Sequence, residues 1–373
     1  MNRRSPLTSL EQANWFKLIC GASFQHLPSV RNLTLAYTLA GADCIDVAAD
    51  PAVIAAARSG IQAAQTVANR GNNGNSCPNH SPWLMASLND GEDPHFRKAR
   101  FDSTQCPTDC PQPCEQICPA NAIVFNRDDG FSGVIDERCY GCGRCLPVCP
   151  EQIIDTRSYV RSPESIAPLV LHAGIDALEI HTQVGRQEDF ARLWQAIAPH
   201  LHQLKLVAVS CPDGDGLIDY LWHLYHLMSP LPCLLVWQTD GRPMSGDIGP
   251  GTTRATIRLA EKVLAANLPG FVQLAGGTNE RTVPKLKELG LLKNGKAGVS
   301  GVAYGSYARV LLSDLLEQLE TMPTSDISSN FSLPPESGTK DLENNPTLLH
   351  SALERAWGLV CQLKDPLSAG KGQ

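Results

Sequence analysis

The chain has 373 residues, 14 cysteines and a formal net charge of −7. The acidic balance argues against a polyanionic partner such as nucleic acid, and the length suits one large domain with an insert, or two domains. No apolar run approaches the ~20 residues of a membrane span. The opening stretch MNRRSPLTSLEQANW has arginines but no apolar signal core. The expectation is a cytoplasmic protein with no integral membrane segment and no nucleic-acid partner.

Residues 1–13 are polar and aperiodic and read as a flexible tail. From Trp15 a rhythm begins. Short apolar runs at 16–20, 44–48 and 83–88 read as strands, and amphipathic stretches opened by Pro28 and Pro51 read as helices. The rhythm breaks at a cysteine-rich block and then resumes. Strands are expected at 177–181, 205–210, 232–237, 270–275 and 299–304. Helices are expected at 162–172, 188–200, 217–228, 252–266, 280–289 and 306–319. Eight apolar strands alternating with helices predict an α/β fold, a (β/α)8 barrel, with a doubly wound open sheet as the alternative.

The barrel is expected to take residues 14–93 and 158–320, with an insert at 94–157 after the third strand. That connection lies on the carboxyl face of a barrel, where functional insertions occur. Residues 321–373 read as a Ser/Thr/Pro-rich linker followed by a helix from Pro346 to Lys364. Leu349, Leu353, Trp357 and Val360 form the apolar stripe expected to dock it.

The insert carries the strongest chemical signal. Cys139, Cys142, Cys145 and Cys149-Pro150 follow the C-x2-C-x2-C-x3-C-P spacing of a bacterial-type ferredoxin. In that arrangement the fourth cysteine ligates the other cluster, so Cys139, Cys142 and Cys145 are expected to share a cluster with Cys118. The second cluster would use Cys106, Cys110, Cys114 and Cys149. Here the spacing is C-x3-C-x3-C, one residue longer in each gap. At least one [4Fe–4S] cluster is expected, and the other is left open between [4Fe–4S] and [3Fe–4S]. Structural zinc favours two well-separated C-x2-C pairs instead, and the C-x3-C-x2-C loop of radical enzymes is missed by one residue. The basic run at 95–100 reads as a solvated charge run or a docking patch for an acidic redox partner.

The barrel offers weaker signals. Gly276, Gly277, Gly305 and Ser306 lie after the last two strands, where barrels often bind phosphate, and a phosphate or flavin mononucleotide site there is a tentative expectation. Polar groups at or beyond strand ends include Asp46, Asp50, Asn89, His181, Gln183, Ser210, Gln238, Asp240, Gln273 and Asn279. No hydrolase triad, zinc-protease motif or P-loop is present, so an enzyme is not the favoured expectation.

The run W15-F-K-L-I-C-G-A-S-F-Q-H-L-P-S-V-R-N-L, then A40-G-A-D-C-I-D-V-A-A-D-P-A-V, then the cysteine block, resembles the light-dependent period protein (LdpA) family of cyanobacteria. D247-I-G-P-G-T-T and Q273-L-A-G-G-T-N extend the likeness. The resemblance implies an iron–sulfur protein on the input side of the circadian clock. Such a protein would sense the redox state set by the photosynthetic electron-transport pool and act through clock-input partner proteins. The alternatives are a flavin-dependent barrel oxidoreductase fed by the ferredoxin module, and a simple electron carrier.

Overall fold

The structure, a computed structural model, describes residues 5–21, 26–71, 81–91, 97–118, 121–127, 130–136, 138–139, 141, 143–158, 168, 170–242, 246, 248–249, 251–293, 297–322 and 340–364. Its strands, in chain order, are β1 (Trp15–Gly21), β2 (Cys44–Ala48), β3 (Trp83–Asn89), β4 (Arg97–Arg100), β5 (Ile123–Val124) and β6 (Gly133–Val134). They continue as β7 (Asp155–Ser158), β8 (Ala177–His181), β9 (Leu206–Pro212), β10 (Leu234–Asp240), β11 (Phe271–Ala275) and β12 (Val299–Tyr304).

Eight of these close a parallel barrel in the order β1-β12-β11-β10-β9-β8-β3-β2. The open-sheet alternative is therefore excluded. Closure brings β1 against β12 with Trp15 opposite Gly301. A Cβ on Gly301 would lie 2.1 Å from the Trp15 carbonyl oxygen, so the seam requires glycine. The near-continuous apolar strands are buried on both faces. Outward residues such as Phe16, Leu18, Ile45 and Val209 pack beneath the helices. Inward residues Trp15, Cys44, Met85, Ala177, Leu206, Val236 and Phe271 form a separate apolar cluster.

Two sequence expectations need correction. Residues 6–11, assigned to a tail, form a helix (Pro6–Glu11). Ser5 caps it by accepting from the Thr8 amide, and Pro6 suits the first turn. Its Leu10 is fully buried and joins the inner cluster, which a barrel needs covered at its end. The C-terminal helix has the expected bounds, Pro346–Lys364. Its docking face is turned by about one residue: Leu348, Ala352, Ala356, Leu359, Val360 and Leu363 are buried. Leu349 and Trp357 pack at the rim. Lys364 anchors its end by pairing with the buried Asp43. The linker at 323–339 and most of the helix expected at 162–172 lie outside the described residues.

Candidate metal centre

The insert leaves the barrel after β3 and returns before β8. Two short antiparallel ladders frame it, β4 with β7 and β5 with β6. Half of its small buried core is cysteine: Cys114, Cys139, Cys145 and Cys149 lie beside Ala99, Ala122, Ile123 and Ile154.

The cysteines face two cavities. Cys118, Cys139 and Cys145 line the first, with Gly141, Gly143 and Arg144. Cys142 lies outside the described residues. Cys106, Cys110, Cys114 and Cys149 line the second, with Phe101, Phe125, Ile153 and Glu151. Each cavity thus takes its fourth cysteine from the other run. The spaces measure about 440 and 280 Å³, open mouths included.

Local backbone explains how the longer first run still converges. The Cys106 amide closes a turn on Ser103, and the Cys110 amide closes one on Pro107. Gln112 then takes a left-handed conformation, φ 52°, before the short helix Pro113–Ile117 that presents Cys114. The extra residues fall in the Pro107–Cys110 turn and at Gln112.

The donor set fits an iron–sulfur cluster: three described cysteines line the first cavity and four the second, and in the first, backbone N–H groups already donate to sulfur. Ala99 N–H donates to Cys139 Sγ at 3.3 Å, and Ala122 N–H donates to Cys118 Sγ at 3.2 Å. In the second cavity burial, then the thiols of Cys110, Cys114 and Cys149, push the Cys106 thiol up. Burial foremost raises Cys114. Crowded thiols of this kind become ligands when a cation offsets their mutual repulsion.

The first cavity is tied to the barrel. Arg138 pairs with Glu320, and Asn121 donates to Glu317, both on the helix Ser306–Thr321. Glu320 also accepts from Ser29 Oγ at 3.2 Å. The Arg144 guanidinium lies 3.0 Å from where a Cβ on Gly246 would sit, and Gly246 N–H donates to Ser306 Oγ at 2.8 Å. In the basic run two charged side chains are described. Lys98 is buried and donates to the Asp136 carbonyl, and Arg100 pairs with Asp155 at 2.8 Å.

The barrel residues separate into two groups. Gly276 and Gly277 have φ of 64° and 81°. A Cβ on Gly276 would collide with Asp240 Oδ1, and one on Gly277 would meet Arg242. The Arg309 guanidinium stands beside Gly305. Ser306 is engaged with Gly246 and Arg309, and Gly305 precedes its helix. Asp50 caps the helix Pro51–Gly71, and Asn279 braces the loop at Ile248 and Gly249. Cys211 is buried and raised to about 12 by burial, an inert thiol. Cys77 lies outside the described residues.

The second group is a buried polar layer that sequence reading did not assemble. Lys17 Nζ lies 2.9 Å from Asp46 Oδ2 and 3.0 Å from Gln238 Oε1, and pairs with Glu179. Gln238 Nε2 donates to Glu179 at 2.7 Å and to Ser210 at 3.1 Å. Ser87 donates to Asp46 at 2.6 Å. Gln273 donates to Gln238 and accepts from Trp15 Nε1. Burial opposes the Lys17 charge, but Asp46 and Glu179 outweigh it and hold the lysine above its ordinary value. Lys17 and Glu179 were missed because their strands read as plain apolar runs. The available signal was parity: Lys17 shares a face with Trp15, and Glu179 shares one with His181, in strands buried on both sides.

An α/β barrel with cysteine-lined cavities on a carboxyl-face insert describes a metallocluster-carrying barrel protein, and the comparisons agree. Residues 106–160 match the LdpA Fe-S cluster-binding domain, and residues 169–362 match the Light dependent period A C-terminal domain. The chain is 48% identical over 365 residues to Light dependent period A of Synechococcus elongatus, covering 98% of this chain and 95% of that protein. It belongs to the Light dependent period A family and carries that family's iron–sulfur cluster-binding domain. Among solved structures, (S)-3-O-geranylgeranylglyceryl phosphate synthase of Thermoplasma acidophilum matches at TM-score 0.37 and 12% identity, covering 94% of this chain and 96% of that one. The carboxyl transferase domain of Rhizobium etli pyruvate carboxylase matches at TM-score 0.36 and 12% identity, covering 94% and 49%. Among the described residues, no helix is long and apolar enough to cross a membrane.

Proposed function

We propose that this protein is a two-cluster redox sensor that adjusts the circadian clock to light-dependent changes in cellular redox state. The observation that carries the reading is the sorting of the insert's cysteines around two cavities, each completed by the other run's fourth cysteine. Cys118, Cys139, Cys142 and Cys145 hold a [4Fe–4S] cluster on this reading. Cys106, Cys110, Cys114 and Cys149 hold a second, of [4Fe–4S] or [3Fe–4S] type. Bound there, such clusters supply one-electron exchange. The chain's own residues do the rest. The Ala99 and Ala122 amides steady the sulfurs, and Arg144 favours added negative charge beside the first cavity. Arg138 and Asn121 connect that cavity to the barrel helix that meets clock-input partners or carries the signal to them. The family name supports the light-dependent role. The electron source is the photosynthetic pool, and the setting is cytoplasmic.

The test is iron and acid-labile sulfide per chain on anaerobically purified protein, with paramagnetic resonance after reduction. Two clusters are expected. Cys142→Ser should remove one signal, and Cys110→Ser should alter a different one. A single shared signal, or a flavin band that survives iron chelation, sinks the proposal.

A further inference from the structure

The described cations of the insert are committed to partners, with one exception. Lys98 donates to the Asp136 carbonyl, Arg100 pairs with Asp155, Arg138 with Glu320 and Arg157 with Asp136. Arg144 is half-buried and lines the first cavity beside Cys118, Cys139 and Cys145. Among the described residues no carboxylate pairs with it. An arginine that sheds water without gaining a counter-ion carries a cost that negative charge nearby offsets. A thiolate-bound cluster in that cavity would be such a charge.

The barrel decides where this guanidinium sits. Gly143, in the left-handed region at φ 73°, turns the chain just ahead of Arg144. The side chain reaches Gly246, in the connection between β10 and the helix Thr253–Ala265. Its Cζ, Nη2 and Nε lie 3.0, 3.0 and 3.1 Å from where a Cβ on Gly246 would stand. Three nearly equal distances mean that the flat face of the group rests over the glycine, in the space a side chain would take. Gly246 is itself held. Its N–H donates to Ser306 Oγ at 2.8 Å, and Arg309 Nη2 donates to the same oxygen at 3.0 Å. Arg309 Nη1 donates to the Ile19 carbonyl on β1 at 3.0 Å. A charge carried by the insert is thus positioned by the barrel framework.

We propose that Arg144 sets the potential of the first cluster and that Gly246 sets Arg144, so that the barrel tunes the cluster it carries. The inference rests on the two-cluster reading above. A cation held beside a cluster stabilises its reduced, more negative form and raises its potential. Gly246 is a positioning residue, acting only through Arg144. The coupling runs both ways: displacing Gly246 shifts the potential, and reduction of the cluster changes the hold of Arg144 on its seat.

The test is a potentiometric titration of the full-length holoprotein, read by paramagnetic resonance, in the wild type, Arg144→Gln, Arg144→Lys and Gly246→Ala. At a fixed applied potential, Arg144→Gln should make the reduced-to-oxidised ratio of the first cluster about tenfold smaller, a lowering of about 59 mV for one electron. Arg144→Lys keeps the charge and should restore most of the ratio. Gly246→Ala leaves the insert untouched, puts a methyl group where the guanidinium lies, and should lower the ratio in the same direction. The second cluster should hold its midpoint in all three. Iron and sulfide per chain show whether each variant loads its clusters; a merely structural role would lower these and leave the midpoint in place. A wild-type midpoint in Arg144→Gln, or equal shifts of both clusters, overturns the assignment to Arg144. If Arg144→Gln loses iron, Gly246→Ala decides, and a wild-type midpoint there overturns the role of the barrel. Wild-type protein without iron at Cys139 overturns the two-cluster reading as well, and its iron content distinguishes that failure from the others.

Discussion

The two cysteine cavities share one plan and differ in their surroundings. Each is built from one run and completed by the other. The first has Arg144 on its lining, and the second has Glu151. The first has backbone N–H groups donating to Cys118 and Cys139. The second is flanked by Phe101 and Phe125, whose rings lie 5.7 Å apart. The ties to the last barrel helix come from the loops that carry the first cavity's cysteines, through Asn121 and Arg138. Cationic neighbours and donors to sulfur favour the reduced state of a cluster, and an acidic neighbour opposes it. On the proposed function, the Arg144 lining and the ties to the barrel would make the first cavity the one that receives the electron and passes the change on.

The largest expected effect tests whether the cavities depend on metal while the barrel does not. Half of the insert's buried core residues are cysteine, which leaves little apolar surface to fold alone. The barrel has its own outer and inner clusters. Iron chelation should open residues 97–158 to protease within minutes while the barrel fragment persists and keeps its far-ultraviolet dichroism. Simultaneous loss of both would show that the insert and the barrel fold as one unit.

The next test concerns the end of β3, where the chain leaves the barrel for the insert. Asp90 follows β3, accepts from Thr182, and lies 3.3 Å from Arg186 Nε. Burial raises it to about 6. An acid raised on folding binds its proton more tightly in the folded state. Stability is therefore greatest below the unfolded value near 4 and falls as pH rises toward 6. Two pKa units correspond to a loss of about 3 kcal/mol at most. Urea unfolding across this range should show that slope in the wild type and a flatter one in Asp90→Asn. An unchanged slope would place the titration elsewhere.

Much of this was legible in the sequence. The barrel strands read clearly because a parallel strand buried on both faces is a continuous apolar run, and bounds such as Cys44–Ala48 and Leu217–Met228 match the expectation. The grouping of Cys118 with the second cysteine run followed from spacing. The helix Pro6–Glu11 did not read, because a single buried leucine gives no periodicity, although Ser5-Pro6 was a capping signal. The Lys17 layer and the tie between Arg138 and Glu320 were invisible for another reason. Their partners lie 162 and 182 residues apart, and only barrel closure brings them together.

The smallest effect separates the cavities most sharply. Arg138 and Glu320 are 23% and 22% exposed at their side chains, and Glu320 also receives Ser29. Arg100 and Asp155 make an ion pair of the same chemistry within the insert, but at 62% and 57% exposure. Solvent screening leaves the exposed pair little to contribute. Glu320→Gln should cost about 1 kcal/mol and shift the paramagnetic signal or potential of the Cys139 cluster alone. Arg100→Ala should leave both signals and the melting temperature in place. If Glu320→Gln moved both clusters equally, the insert would act on the barrel as a rigid block, and the assignment of transmission to the first cavity would fail.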